Sequence, residues 1–141
     1  WEFVDKPHFV GCTIISAGLG EDASFDVEFA KKYNARVIIV DPTPRAISHF
    51  NSLSKLIGNP STAPYSLTGK QPVEAYDLEN ISRKNFTFVG KALWNKSTTL
   101  KFFEPADPNH VSHSMRKLSK WVFQHHQINR SICNHIGRIV G

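Results

Sequence analysis

The chain has 141 residues, 40% of them hydrophobic and 21% charged, with a formal net charge of +5. That is enough chain for one domain with one core, and too apolar a composition for a disordered segment. No apolar run approaches the roughly 20 residues of a membrane-spanning helix and no leader peptide follows Trp1, so no membrane partner and a cytoplasmic location are expected.

Residues 11–17, Gly-Cys-Thr-Ile-Ile-Ser-Ala, are short, rich in β-branched residues and bounded by glycine, which predicts a buried strand. Cys12 opens that run as a small buried hydrophobe, and with Cys133 it makes no disulfide framework. Residues 18–23, Gly-Leu-Gly-Glu-Asp-Ala, form a turn, and a helix is predicted over 23–33. Phe25, Phe29 and Tyr33 recur at i, i+4 and i+8 as one apolar stripe, and Asn34 is the stop. Glu21 and Asp22 stand at the start of this helix, where carboxylates suit its dipole.

Residues 36–40 predict a second buried strand, ending in Asp41. Thr43 is placed as N-cap of the next helix, with Pro44 in its first position and Ala46, Ile47, Phe50, Leu53 and Ile57 on its inner face. Gly58 suits the left-handed position past its end, and Pro60 follows. The alternation of strand, helix, strand and helix over residues 11–57 implies a parallel sheet with right-handed crossovers.

Residues 58–84 carry Pro60, Pro64, Gly69 and Pro72 and predict a long functional or mobile loop, with a helical turn near 74–80. Residues 85–89 alternate as a strand, Asn95 and Lys96 make a turn, and 98–103 form another strand ended by Pro105 and Pro108. A helix is expected from Ser114 to about Ile128. The charge is uneven. Residues 1–107 hold 12 acids and 12 bases, so the whole excess comes from Arg116, Lys117, Lys120, Arg130 and Arg138. Such a tail attracts an acidic partner or makes a solvated helix face; with only Trp121 and Phe123 to stack on bases, nucleic acid is the less favoured partner.

A strand that feeds a glycine turn into a helix suits a nucleotide cofactor. Gly18 and Gly20 let the backbone approach the ligand, and Asp41, at the end of the second strand, can accept both hydroxyls of a ribose. The same string fits the dinucleotide pattern G-x-G-x-x-A, which keeps an NAD-binding alternative open. Charge favours a different ligand. Glu21 and Asp22 would repel a pyrophosphate at the helix start by on the order of 1–4 kcal/mol per close pair, and would attract the sulfonium and ammonium of S-adenosylmethionine.

The stretch Ile14-Ile-Ser-Ala-Gly-Leu-Gly-Glu-Asp-Ala-Ser-Phe-Asp26, followed by Val40-Asp-Pro-Thr-Pro44, resembles FkbM-like S-adenosylmethionine-dependent methyltransferases. Phe86 through Val89, Ala92-Leu-Trp-Asn95, Leu100-Lys-Phe-Phe103 and His110-Val-Ser-His-Ser114 resemble the same family more weakly. The resemblance implies a Rossmann-like class I methyltransferase fold. Ser16, Gly18, Gly20, Glu21, Asp22, Asp41, Ala92 and Leu93 would then be cofactor residues, with Gly18 and Gly20 under the methionine part, Asp41 on the ribose, and Ala92 and Leu93 near the adenine. It implies O-methylation of a small molecule or sugar. The family carries an acid early in its first motif where this chain has Ile14, and an Asp-Ile-Glu-Gly strand that this chain lacks. The expectation is therefore a truncated form: a partial α/β sheet over 1–115 without its C-terminal strands, and a basic tail over 116–141. Its open sheet edge would favour self-association. A non-catalytic interaction module is the alternative. His110, His113, His125, His126 and His135 lack the cysteines and carboxylates of a zinc site, so no metal is expected.

Overall fold

The computed structural model describes residues 4–95, 98–99, 103–104 and 122–123. The chain divides into two units, Trp1–Gly90 and Lys91–Gly141. The boundary expected at 115/116 lies outside the described residues.

The first unit is an α/β sheet of three strands, β1 (Thr13–Ala17), β2 (Arg36–Val40) and β3 (Phe86–Val89), with two helices, α1 (Ser24–Tyr33) and α2 (Pro44–Lys55). The strands lie in the order β1-β2-β3 and both pairings are parallel, with Ala17 opposite Val40 and Val40 opposite Val89. This is the order of one half of a doubly wound sheet, compatible with a partial Rossmann-like fold. It aligns the carboxyl ends of all three strands at one end of the sheet.

The two helices interrupt where their sequences say they should. The hydroxyl of Thr43 accepts from the Ala46 N–H at the start of α2, and Pro44 fills a position whose N–H has no partner in a helix. Asn34 ends α1 in the left-handed region at φ 47°, with its N–H bonded to the Ala30 carbonyl. The stripe on α1 is a real aromatic seam: the Phe29 and Tyr33 rings lie 4.7 Å apart and Phe9 closes on Tyr33 at 5.4 Å. On α2, Ala46 and Leu53 are buried and Phe50 packs against the core, whereas Ile47 is exposed; Ile57, expected on the same helix face, packs against the core from beyond the helix end at Lys55.

Three expectations change. β1 is not a buried strand; its residues alternate between exposed and half-buried, and Ile15 is 49% exposed. The alternation shows that one face, bearing Ile14 and Ser16, packs against the protein, whereas Thr13, Ile15 and Ala17 on the other face stay exposed. β2, the central strand, is buried from Val37 to Val40. Residues 58–84 are not an open loop. Their two arms bond to each other through Gly58 N–H to Leu78 O (3.0 Å), Leu78 N–H to Asn59 O (2.9 Å) and Thr62 N–H to Glu74 O (2.8 Å). Tyr76, Leu78 and Ile81 enter the main core beside Val27, Val37 and Ile39. The helical turn there is a short 3-10 turn, Val73–Ala75.

In the second unit, β4 (Phe103–Glu104) pairs antiparallel with β5 (Val122–Phe123). The two residues described within the helix expected at 114–128 are therefore strand. A β-branched residue followed by an aromatic suits an extended pairing better than a helix. The rest of that window, the basic tail, residues 100–102, Cys133 and the five C-terminal histidines lie outside the described residues. Cys12 is half-buried beside the Phe29–Tyr33 seam. Among the described residues no helix is long and apolar enough to cross a membrane.

Candidate cofactor turn

The turn between β1 and α1 sits at the carboxyl end of the sheet because β1 stops at Ala17. Gly18 and Gly20 both take positive φ, 90° and 57°, a region in which side chains are strained. Open space surrounds the position a Gly18 side chain would take, so backbone conformation rather than crowding calls for glycine there. Leu19, between them, buries its side chain in the main core. The turn is thus a loop held at its middle with a glycine on each side.

Asp41 reaches back over this turn from the end of β2. One carboxylate oxygen accepts from the Leu19 N–H at 2.8 Å and the Gly20 N–H at 3.0 Å. The other accepts from the Thr43 N–H at 2.8 Å and the Thr43 hydroxyl at 2.7 Å. The residue is only 4% exposed. The proximity of Asp41 to the glycine turn is as expected. Its two oxygens are nevertheless engaged by this chain's own amides and hydroxyl.

Three other amides of the turn are also committed. Gly18 N–H bonds Val40 O, Asp22 N–H bonds Leu19 O, and Ala23 N–H bonds the Tyr76 hydroxyl. Ser24 N–H bonds a carboxylate oxygen of Asp22 at 2.9 Å, so Asp22 serves the start of α1. Glu21 pairs with Arg45 at 3.3 Å and with Lys70 at 3.6 Å, and its carbonyl accepts from Gln71 N–H. The repulsion expected of Glu21 toward a phosphate is therefore offset by two cations. What now disfavours a pyrophosphate is the shortage of uncommitted amide donors around the turn.

Ser16 lies on the face of β1 that meets the first turn of α1. There its hydroxyl lies close enough to Asp26 to favour the ionised carboxyl. Asp26 is 3% exposed, and its Oδ1 has no hydrogen-bond partner. Burial pushes its carboxyl up to about 6; the Ser16 hydroxyl and the residue's own backbone N–H oppose that rise, and the charge of Asp22 adds to it.

Two further residues escaped the sequence. The Tyr76 hydroxyl, 1% exposed, meets His49 Nε2 at 2.8 Å while accepting from Ala23. Burial holds the His49 imidazole below its usual range, against the pull of Glu21 and Asp22. A neutral His49 can accept from the tyrosine, which fits that direction. His49 shares the three- and four-residue spacing of Ala46 and Leu53 on α2, and apolar residues crowd 73–81; both signals were present in the sequence.

Six of the eight expected cofactor residues, Ser16, Gly18, Gly20, Glu21, Asp22 and Asp41, gather at this turn. Ala92 and Leu93 belong to the second unit. Among the described residues no group of acids, histidines and cysteines could hold a metal ion. No family model, curated protein or solved structure matches this chain.

Proposed function

We propose that the first unit is the cofactor half of an S-adenosylmethionine-dependent methyltransferase of the FkbM-like kind, with a class I methyltransferase fold and acting on a hydroxyl of a small molecule. One observation carries this reading. Parallel pairing of Ala17 with Val40 puts the glycine turn and Asp41 side by side at the carboxyl end of the sheet, where open α/β sheets take their ligands.

The polar groups gathered there are mostly acceptors: the carboxylates of Asp41, Glu21 and Asp22. They suit a ligand that brings its own donors, such as a ribose diol and an ammonium, better than one that brings phosphates. Asp41 would take the ribose, and Gly18 and Gly20 would leave room for the chain that bears the sulfur. The bound cofactor would supply an electrophilic methyl group; the residues of this unit would hold and orient it rather than move protons. No residue of this unit is assigned to a methyl acceptor, so binding is the activity to measure. A folded sample titrated with S-adenosylhomocysteine by calorimetry should give saturable heat that NADH does not compete away. Absence of that heat, or its displacement by NADH, overturns the reading.

A further inference from the structure

We infer that Asp41 is a latch on the glycine turn, which a diol-bearing ligand opens by taking the place of the turn's own amides. The inference rests on the reading of this turn as the cofactor site. An ionised carboxylate offers about four acceptor positions, and Asp41 fills four with Leu19, Gly20 and Thr43. A ligand diol can bond it only by displacing two of these. The Thr43 pair is the harder to displace, because its hydroxyl also caps α2 and both its donors sit two residues away on a fixed chain path. The turn pair is freer: Gly18 and Gly20 flank Leu19 and can rotate the peptides that carry both N–H groups while the Leu19 side chain stays in the core.

The exchange has a second consequence. When the diol takes Oδ2 of Asp41, the Leu19 and Gly20 N–H groups lose their acceptor and become donors for an anionic group of the same ligand. A diol at one end and a carboxylate at the other would then be recognised together, each making room for the other. A ligand with the diol alone leaves the two amides without a partner, and one with both ends satisfies them. The turn is thereby selective for a nucleoside joined to an amino acid over a bare nucleoside.

The test uses the full chain labelled with ¹⁵N and two probes. One is 5′-methylthioadenosine, which has the diol and no carboxylate; the other is S-adenosylhomocysteine, which has both. In the free chain the Leu19 and Gly20 amides should be protected from exchange. Saturation with methylthioadenosine should speed their exchange by about tenfold while Thr43 keeps its protection, and S-adenosylhomocysteine should protect them again with new chemical shifts. If methylthioadenosine binds and both amides keep their free-state protection and shifts, the latch is overturned and the cofactor reading stands. If calorimetry shows no binding of either probe, the cofactor reading itself fails, and the latch falls with it.

Discussion

Asp41 and Asp26 are both carboxylates with less than 5% of their surface exposed, one at the end of β2 and the other in the first turn of α1. Asp41, at the end of β2, is surrounded by donors: two turn amides, one amide of the α2 cap and one hydroxyl. Asp26, in the first turn of α1, has the Ser16 hydroxyl and its own amide near it and one oxygen with no partner at all. Burial of a charge is costly unless hydrogen bonds replace the water that was removed. The first site meets that condition and the second does not. Equal burial therefore has opposite meanings: Asp41 ties the turn to the α2 cap through its hydrogen bonds, and Asp26 is tolerated best as a neutral acid.

Removing Asp41 should give the largest effect. Asp41→Ala leaves the Leu19, Gly20 and Thr43 amides without their acceptor, and the loss of such charge-assisted bonds at a buried site costs about 3–5 kcal/mol. Urea denaturation at pH 7 measures it. A loss below about 1 kcal/mol would show that water replaces the carboxylate and that the turn needs no latch.

Asp26→Asn should have the opposite sign. The unfolded chain holds this proton only up to the ordinary carboxylate value near 3.8, whereas the folded chain holds it to about 6. A folded-state value raised in this way contributes stability that is complete below pH 3.8 and lost as the pH rises through about 6. The shift corresponds to roughly 3 kcal/mol as an upper figure. The native chain should thus lose stability between about pH 4 and pH 6, and Asp26→Asn should remove that slope and gain about 1–3 kcal/mol at pH 7. Equal urea midpoints for the two proteins at pH 4.5 and pH 7.5 would show that Asp26 finds a partner in solution.

Tyr76→Phe addresses the turn from the side of residues 58–84. The substitution keeps the ring in the core and removes the acceptor of the Ala23 N–H and the partner of His49. A loss of about 1–2 kcal/mol is expected in urea denaturation, because the Ala23 N–H is left without its acceptor. The ring still buries His49, so its titration should stay below the ordinary range in proton NMR; a return to that range would show that the tyrosine hydroxyl and not burial lowers it.

How much of this the sequence disclosed follows from the range of the interactions concerned. The α2 cap at Thr43, the stop at Asn34 and the strand-turn-helix unit all depend on neighbours within a few residues, and each was legible. The meeting of Asp41 with Leu19 was legible in outline, because parallel strands joined by a helix bring their carboxyl ends together. The direction of the carboxylate was not, since a ribose and a turn amide offer the same kind of donor. The exposure of β1 depends on what covers each of its two faces, which no property of Thr13–Ala17 encodes. The partners of Glu21 come from Arg45 and Lys70, which are 24 and 49 residues away in sequence, so its neutralisation by cations was invisible until the loop was placed.

Glu21 supplies the smallest effect and the sharpest contrast with Asp41. Both acids face the turn and both have cationic or amide donors. The Glu21 side chain, however, is 28% exposed, and its partners Arg45 and Lys70 are 33% and 42% exposed. Their distances of 3.3 and 3.6 Å are those of ion pairs that water and salt still reach. Such pairs contribute about 0–1 kcal/mol, because the Coulomb gain is screened and two long side chains must be held still. Glu21→Gln should therefore change the urea midpoint at low salt by an amount equivalent to about 0.5 kcal/mol or less, and by nothing measurable in 1 M NaCl. The backbone carbonyl of Glu21, which accepts from Gln71, is untouched by the substitution, so the loop stays attached to the turn. If the variant instead lost as much as Asp41→Ala, and lost it at both salt concentrations, Glu21 would have to be counted with the buried acids. The division of the turn into a hydrogen-bonded anchor and a screened surface charge would then fail.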